Sequence, residues 1–422
     1  MNSLHVYFAL GVGACALAAS HVAHGSLQCA NAAPRLAAQL QTPLRLQQCL
    51  DTNITNGGSN TAEVRPPAPP PPFEHAVWSH KPVCVSGKEK KDYCTHTTAG
   101  LRDGHGLSII ATPRAADEIS VALPSGKNKL SHSRRGLEVR LVPGKGKGLF
   151  TTKSIAKGET ILLDPARIIA SSLFPRQVSR AQGKTLFSSA IDRLPGRDRE
   201  AVAALDQSLG GTQIEDIVKT NAFACKLADG NVDGAYMCVF PSVSRINHAC
   251  QPNAHARFIP RALSMEVKAK RDIAAGEEIN ISYGRIDLSY DERQELYKDG
   301  WNFACTCSLC SASRYEIDGS DRRRVRFARL RQMLKNLTAD TYDAHQVLEW
   351  ETEVMAIAQS EGLEVLLAED YERLAYVYVG QGMLKDARRW AEKAKQSLLD
   401  WDVADGGPEV EMRRVNELLS EL

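Results

Sequence analysis

Four cysteines in the second half of the chain have the type and spacing of metal ligands. Cys305, Cys307 and Cys310 form a C-x-C-x-x-C run, and Cys250 lies upstream of it. Thiols at such short spacing suit Zn²⁺, which at structural sites takes four nitrogen or sulfur ligands in a tetrahedron. A disulfide is the alternative, but it would leave one of the three clustered cysteines unpaired. The pattern therefore predicts a zinc site formed by Cys250, Cys305, Cys307 and Cys310.

Polar groups are concentrated in the nine residues from Arg245 to Asn253, RINHACQPN. Taken singly, Asn247 would be a turn former and His248 a buried, hydrogen-bonded histidine. A run that joins both of them to a thiol and a second asparagine is poorly explained as core packing. We therefore treat it as part of a functional site.

Two further segments contain residues suited to binding or catalysis. Gly144 to Phe150 (GKGKGLF) is a glycine-rich turn after a predicted strand, and alternating glycines let a backbone approach a ligand closely. Because the turn lacks the Lys-Ser/Thr pair of phosphate loops and the full dinucleotide fingerprint, it is weak on its own. Glu278 to Gly284 (EINISYG) predicts a strand that ends at Tyr283.

Short strands must position these groups. Alternating runs predict strands at 137–142, 160–163, 254–259, 265–269 and 278–283, and the similar turns SIAKGETI and DIAAGEEI place Gly158 and Gly276 where a positive φ is expected. Helical spacing indicates an insertion at about 175–226. The last hundred residues are helical, and a small-residue pattern at Ala387, Ala391 and Ala394 resembles one tetratricopeptide-like (TPR-like) hairpin. An ordinary helical cap is the alternative there.

The N-terminal quarter has a different character. Residues 1–25 contain no Asp, Glu, Lys or Arg and include an apolar run, so they predict a secretory signal peptide, although the usual basic residues at its start are missing. Residues 26–72 read as a low-complexity, proline-rich linker. A segment at 73–134 follows, with short strands and turns. The cysteines of this quarter that follow the signal-like segment are even in number and compatible with two disulfides in the secretory route: Cys29, Cys49, Cys84 and Cys94.

Composition excludes some functions. Lys plus Arg total 52 against 50 for Asp plus Glu, and no basic stripe is interleaved with aromatic residues. Direct nucleic-acid binding is therefore not indicated. After removal of the signal, we expect no membrane span, because no other segment is apolar enough.

Residues from Arg135 to about Ala312 resemble a SET domain. RINHACQPN matches the family signature N-H-S-C-x-P-N with Ala249 in place of serine, the strand ending at Tyr283 is the second hallmark, and the C-x-C-x-x-C run is the third. The chain resembles SMYD-type and fungal SET proteins, although no MYND finger interrupts its SET region. The resemblance implies an α+β fold of small sheets. Its parts are the SET domain at 135–284 with the helical insertion, a post-SET zinc region at 285–315 and a helical TPR-like domain at 316–422.

The resemblance also implies an activity, S-adenosylmethionine-dependent protein lysine N-methylation, with Zn²⁺ as a second cofactor. Tyr283 would be the catalytic residue. Phe303 would stack on the adenine of the cofactor, Asn247 and His248 would hold its adenine and amino-acid portions, and Asn221 would be a further contact. The residues that would line the cofactor with backbone groups are Lys145, Gly146, Lys147, Gly148 and Leu149.

Two questions stay open at this level. The alternative to an enzyme is a SET fold that binds cofactor or peptide without turnover. In either case the partner would be a lysine-bearing protein or peptide. The helical C-terminus would offer a further docking surface. The signal-like N-terminus favours the secretory pathway, with nucleus or cytoplasm as the alternative. Sequons at Asn53 and Asn336 agree with secretion, whereas a glycan on Asn280 would be incompatible with the predicted strand.

Overall fold

The computed structural model describes residues 77–101, 104–121, 123, 136–227, 235–402 and 409–422. The signal-like segment 1–25, the linker 26–72, Cys29 and Cys49 lie outside these residues. Within them, small β-sheets are followed by a helical C-terminal region, which confirms the α+β class.

The largest sheet has six strands in the order β1-β2-β3-β7-β9-β8, and its central pair β3 and β7 is parallel. Both of these strands are fully buried (LSIIA and IIAS), as expected for apolar runs covered on both faces. Ile109 and Ile169 enter one core cluster, whereas their neighbours Ile110 and Ile168 enter another. The strands are β1 Val83–Ser86, β2 Asp92–Thr98, β3 Leu107–Ala111, β7 Ile168–Ser171, β8 Ala222–Lys226 and β9 Ala235–Val239.

The segment 73–134, which the sequence separates from the SET region, contributes β1, β2 and β3 to this sheet. Its two described cysteines, Cys84 and Cys94, lie directly opposite each other on β1 and β2 and form a disulfide. Asp198 of the insertion ties the segment further, because its carboxylate accepts hydrogen bonds from Gly106 N at 2.8 Å and from Arg167 Nε at 2.7 Å. The segment and the SET region therefore share a sheet and a core.

Three smaller sheets complete the β-structure: the β4–β5 hairpin, the antiparallel β11-β12-β6 and the two-residue parallel pair β10–β13. Gly158 and Gly276 have φ values of 83° and 84°, as the twin turns predicted. Regular strand structure in the run 278–283 is limited to two residues, so that prediction was too long. The strands are β4 Leu137–Val142, β5 Gly146–Thr151, β6 Thr160–Pro165, β10 Asn247–His248, β11 Ala254–Ile259, β12 Ser264–Ala269 and β13 Asn280–Ile281.

A helical insertion covers one face of the large sheet. Leu186, Phe187 and Ala190 of its longest helix, α3, pack into the core cluster on that face. The helices end at Asn221, and residues 222–226 form β8, because they pair along their whole length with β9. The first helices are α1 Pro113–Val121, α2 Phe174–Gln177, α3 Arg180–Asp192, α4 Gly196–Ala203 and α5 Gln213–Asn221.

The C-terminal helices dock on the β11-β12-β6 sheet through a π-helical turn, Leu398–Asp402. His255 Nε2 donates to Trp401 O at 3.1 Å, and Lys268 Nζ lies 3.0 Å from Asp400 Oδ1. No helix among the described residues is long and apolar enough to cross a membrane. The helices are α6 Tyr290–Trp301, α7 Arg314–Lys335, α8 Ala344–Glu361, α9 Ala368–Gly380, α10 Leu384–Ser397 and α11 Glu409–Glu421.

The hairpin of α9 and α10 is held by small residues. Ala387, Ala391 and Ala394 on α10 are fully buried, and Ala375 of α9 packs against Ala391 and Trp390. Small side chains let two helices approach closely, which explains the spacing seen in the sequence. The resemblance to a tetratricopeptide hairpin stays a prediction.

Candidate active site

The polar run 245–253 wraps around the end of strand β13. Asn247 and His248 form β10, which pairs in parallel with Asn280 and Ile281. The side chain of Asn253 binds the backbone of β13 and of the residues before it. Its Oδ1 accepts from Asn280 N at 2.8 Å, and its Nδ2 donates to Glu278 O at 2.8 Å. An asparagine side chain thus replaces the backbone partner that a longer strand would have provided.

The glycine-rich run 144–150, predicted to be a turn, is mostly strand β5, with a turn only at its first residues, and it lies against β13. Ile279 N donates to Leu149 O at 2.8 Å, so strand β5 is joined directly to the residues before Tyr283. A Cβ on Gly148 would lie 2.6 Å from Glu278 Oε1 and 2.9 Å from Asn247 Nδ2. Real Cβ atoms do not approach other atoms so closely, and glycine is needed here for its lack of a side chain.

Two carboxylates hold the basic residues of the site. Glu278 Oε1 accepts from Asn247 Nδ2 at 2.8 Å, and its Oε2 lies 3.8 Å from Lys145 Nζ. Asp206, from the insertion, lies 3.8 Å from Lys147 Nζ and 3.3 Å from Arg245 Nη1. The lysines of the glycine turn are thus each paired with an acid from a different part of the chain.

Asn221 joins the site through the backbone of Asp206. Its Nδ2 donates to Asp206 O and to Ile217 O, both at 2.8 Å. The amide therefore positions the loop whose carboxylate pairs with Lys147. This contact gives Asn221 a structural task in addition to the one that the resemblance implies.

Tyr283 lies two residues after strand β13, among aromatic rings. Its hydroxyl donates to Ile246 O at 2.8 Å, and its ring lies 5.2 Å from the Trp301 ring and 5.5 Å from the His248 ring. Burial raises the pKa of Tyr283 above its usual range, and the nearby carboxylates of Asp206 and Glu278 raise it further. The hydroxyl is therefore neutral at pH 7, and its lone pairs remain free to accept hydrogen bonds.

Phe303 lies in the same aromatic group. Its ring stacks on the Tyr297 ring at 5.5 Å with an interplanar angle of 5°, and Tyr297 in turn lies 4.0 Å from the His248 ring. Asn302 ends helix α6 in the left-handed conformation and thereby turns the chain between Trp301 and Phe303.

Four residues of this arrangement were missed by the sequence reasoning: Asp206, Glu278, Tyr297 and Trp301. For the two aromatic residues a signal was available, because they lie four positions apart on one helix face directly before the cysteine run. Asp206 carries no local pattern that separates it from an ordinary surface carboxylate, and Glu278 begins the run EINISYG, in which only Tyr283 was given a role.

The predicted zinc ligands come together. The Sγ atoms of Cys250, Cys305, Cys307 and Cys310 all lie within 4.8 Å of one another, and all four residues are buried. Cys250 Sγ is 3.5 Å from Cys310 Sγ and 3.8 Å from Cys305 Sγ. Because Zn–S bonds are about 2.3 Å long, a tetrahedron of sulfurs around zinc has edges of about 3.8 Å. The sulfur positions fit a zinc ion.

Helix α6 supports the cysteine cluster. The Gln294 side chain donates to Cys305 O and accepts from Cys305 N, both at 2.9 Å. Arg293 is 1 % exposed and interacts electrostatically with Cys250 and Cys310. A divalent ion among four thiolates would leave a net negative charge, which a buried guanidinium would offset in part.

Comparison with known proteins assigns this arrangement. The family model described as "SET domain" matches residues 146–284, from the glycine turn to the residue after Tyr283. Residues 146–284 form a SET domain. The identification made from the sequence is thereby confirmed.

The relatives of this SET domain include named lysine methyltransferases. It is similar to histone-lysine N-methyltransferase set5 of Schizosaccharomyces pombe, with 42% identity over 86 residues, 20% of this chain and 27% of the relative. N-lysine methyltransferase SMYD2-B of Danio rerio is 32% identical over 102 residues, 24% of this chain and 22% of the relative. Histone-lysine N-methyltransferase SMYD3 of Homo sapiens is 27% identical over 143 residues, 34% and 31% of the two chains. The alignments thus span about a quarter of the length of these relatives.

Proposed function

We propose that this chain is an S-adenosylmethionine-dependent protein lysine N-methyltransferase. The observation that carries the proposal is that the glycine-rich run, Asn247, His248 and Tyr283 come together around the parallel strand pair β10–β13. The names of the relatives that share this SET domain support the reaction type.

The residues present fit the proposed cofactor. An amino-acid moiety needs partners for both of its charges, and Lys145 and Glu278 offer a cation and an anion beside the narrow backbone at Gly148. S-adenosylmethionine would supply an electrophilic methyl group on a sulfonium. The assigned contacts are the backbone of Lys145, Gly146, Lys147, Gly148 and Leu149, the side chains of Asn221, Asn247 and His248, and the ring of Phe303.

Tyr283 and the rings around it would act on the substrate lysine. A free lysine has a pKa of about 10.4, so presenting its neutral amine at pH 7 costs about 4–5 kcal/mol. Enclosure by apolar surface lowers this cost because burial disfavours the charged form. The Tyr283 hydroxyl gives its hydrogen to Ile246 O and keeps its lone pairs for the reacting groups. It would orient the amine for attack.

Zinc would have a structural role in this account. The ligands Cys250, Cys305, Cys307 and Cys310 form a closed set of four sulfurs, which leaves no coordination position for a substrate. Since Cys250 belongs to the same run as Asn247 and His248, the ion would hold the segment after α6 against the cofactor residues.

A direct test is calorimetric titration of the full chain with S-adenosylhomocysteine, the expected product. We expect one binding site per chain; absence of binding at millimolar concentration would refute the proposal. The alternative of a SET fold without turnover has no specific support, because Tyr283, Asn247 and His248 are all in place. We propose a lysine-bearing protein as substrate and retain the helical C-terminus as a prediction for a further partner.

For location we propose the secretory pathway, on the signal-like N-terminus. The disulfide between Cys84 and Cys94 supports an oxidising compartment. Asn280 is a constraint on this route, because its Nδ2 is buried in β13 and has no room for a glycan. Mass spectrometry of the mature protein tests the proposal: we expect a new N-terminus near residue 25 and an unmodified Asn280, whereas an intact Met1 or Asn2 would contradict it.

A further inference from the structure

Glu278 is not among the contacts that the resemblance implies, yet it lies between three of the residues that would bind the cofactor. Its carboxylate accepts from Asn247, faces Lys145 and lies 2.6 Å from the place that a Cβ on Gly148 would take. We propose that Glu278 binds the α-ammonium group of the cofactor's amino-acid moiety. The inference rests on the proposed function and specifies how its cofactor is recognised.

The carboxylate of Glu278 has unused capacity. An ionised carboxylate has about four acceptor positions. Glu278 uses one of its oxygens for the Asn247 amide at 2.8 Å, while the Lys145 ammonium at 3.8 Å is too distant for a hydrogen bond. The side chain is only 17% exposed, so water reaches it poorly. A partly buried, incompletely paired carboxylate favours a cationic ligand.

The neighbouring Glu277 shows the contrast. Its carboxylate pairs with Arg271 and accepts from Asn253 Nδ2 at 3.0 Å and from Ala274 N at 3.0 Å. The Arg271 pair lowers the pKa of Glu277 to about 2. The two adjacent glutamates thus differ. Both oxygens of the Glu277 carboxylate have hydrogen-bond partners among the described residues, whereas only one oxygen of Glu278 does.

Glu278 and Lys145 together match the two opposite charges of an amino acid. Phe150 and Glu278 form an antiparallel bridge, which turns the Glu278 side chain toward the glycine turn. A zwitterion would insert between Lys145 and Glu278, the lysine receiving its carboxylate and the glutamate its ammonium.

The test compares two ligands, S-adenosylhomocysteine and its desamino analogue, which keeps the carboxylate but lacks the ammonium. The variant is Glu278→Gln, whose amide oxygen can still accept from Asn247 but carries no charge. Glu277→Gln is the matched control. Calorimetry or competition binding on the full chain gives the affinity of each protein for each ligand, and thermal unfolding confirms that each variant is folded.

We expect the wild type and Glu277→Gln to prefer S-adenosylhomocysteine by about 10- to 100-fold, the range for a charge-assisted hydrogen bond. In Glu278→Gln this preference is expected to disappear. The proposal is overturned if the wild type binds both ligands equally, which needs no variant to fold, or if Glu278→Gln keeps the wild-type preference. A wild type that binds neither ligand would instead contradict the proposed function itself.

Discussion

His248 connects Tyr283 to the cysteine cluster through opposite nitrogens of one ring. Its Nδ1 accepts the backbone N–H of Tyr283 at 3.2 Å, and its Nε2 lies 3.3 Å from Cys250 Sγ. Because a backbone N–H can only donate, Nδ1 carries no proton and Nε2 donates toward the sulfur. Burial lowers the pKa of His248 to about 4, in agreement with a neutral ring.

Loss of the metal is therefore expected to affect the cofactor site. We expect one zinc per chain in the wild type, and Cys307→Ser to lose it, to unfold at lower temperature and to bind S-adenosylhomocysteine more weakly. The reason is that the Cys250 sulfur, which accepts from His248 Nε2 and orients the ring, would no longer be held in place by the metal. Elemental analysis and calorimetry measure the two effects.

Cys225→Ala is the control for this experiment, since Cys225 is buried in the large-sheet core and lies outside the cluster. It is expected to retain the zinc. A wild-type protein purified without zinc, or full zinc content in Cys307→Ser, would contradict the assignment of the four ligands.

Gly148→Ala tests the close approach at the glycine turn. The added Cβ would lie within 2.9 Å of Glu278 Oε1, Val142 Cγ2 and Asn247 Nδ2, so these groups must move. Overpacking of this kind costs about 1–3 kcal/mol. We expect at least a tenfold loss of affinity for S-adenosylhomocysteine by calorimetry.

Gly196→Ala is the matched substitution, because Gly196 begins helix α4 and nothing lies within 4 Å of an added Cβ. Its affinity and stability are expected to equal those of the wild type. Equal affinities in both variants would show that the turn does not contact the cofactor.

The docking of the C-terminal helices is expected to weaken in acid. Burial lowers the pKa of His255 to about 4, from an ordinary value of 6.5, and the cations Lys270, Arg257 and Lys268 lower it further. The unfolded chain therefore binds a proton near pH 6.5, whereas the folded chain does so only near pH 4. The stability contributed by the neutral histidine is complete above about pH 7 and is lost as the pH falls through this window.

His255→Gln keeps a side-chain donor for Trp401 O but does not titrate. Thermal unfolding at pH 7 and pH 5 is expected to show a smaller loss of stability in this variant than in the wild type. Because other histidines titrate in the same range, the difference between the two proteins is the relevant quantity. Parallel pH profiles would show that His255 is not responsible.

Much of the site could be predicted because its residues belong to short, contiguous runs. Asn247, His248 and Cys250 stand together in the run that matches the SET signature, and the structure joins His248 to Cys250 and Cys250 to the cysteine run. The partners Asp206 and Glu278 could not be found in the same way. Their importance arises from pairing with Lys147 and Lys145 across 59 and 133 positions of sequence, which local patterns do not report.

The pairing of the strands could not be predicted for the same reason. Alternation in the sequence indicates strands, but it does not determine their neighbours. The parallel pairing of β3 with β7 places the segment 73–134 in the large sheet. It brings together residues as far apart in the sequence as Ser108 and Ile168. Strand β8 at the end of the insertion was missed because its pairing with β9 outweighs the local helical spacing.

The central claim is tested most directly by methyl transfer. The full chain would be incubated with radiolabelled S-adenosylmethionine and either histones or a whole-cell protein extract. We expect the wild type to label lysine in at least one protein, and Tyr283→Phe to be slower by about 100-fold while binding S-adenosylhomocysteine with similar affinity. A wild type that binds the cofactor but labels no protein, or a Tyr283→Phe variant as fast as the wild type, would contradict the account.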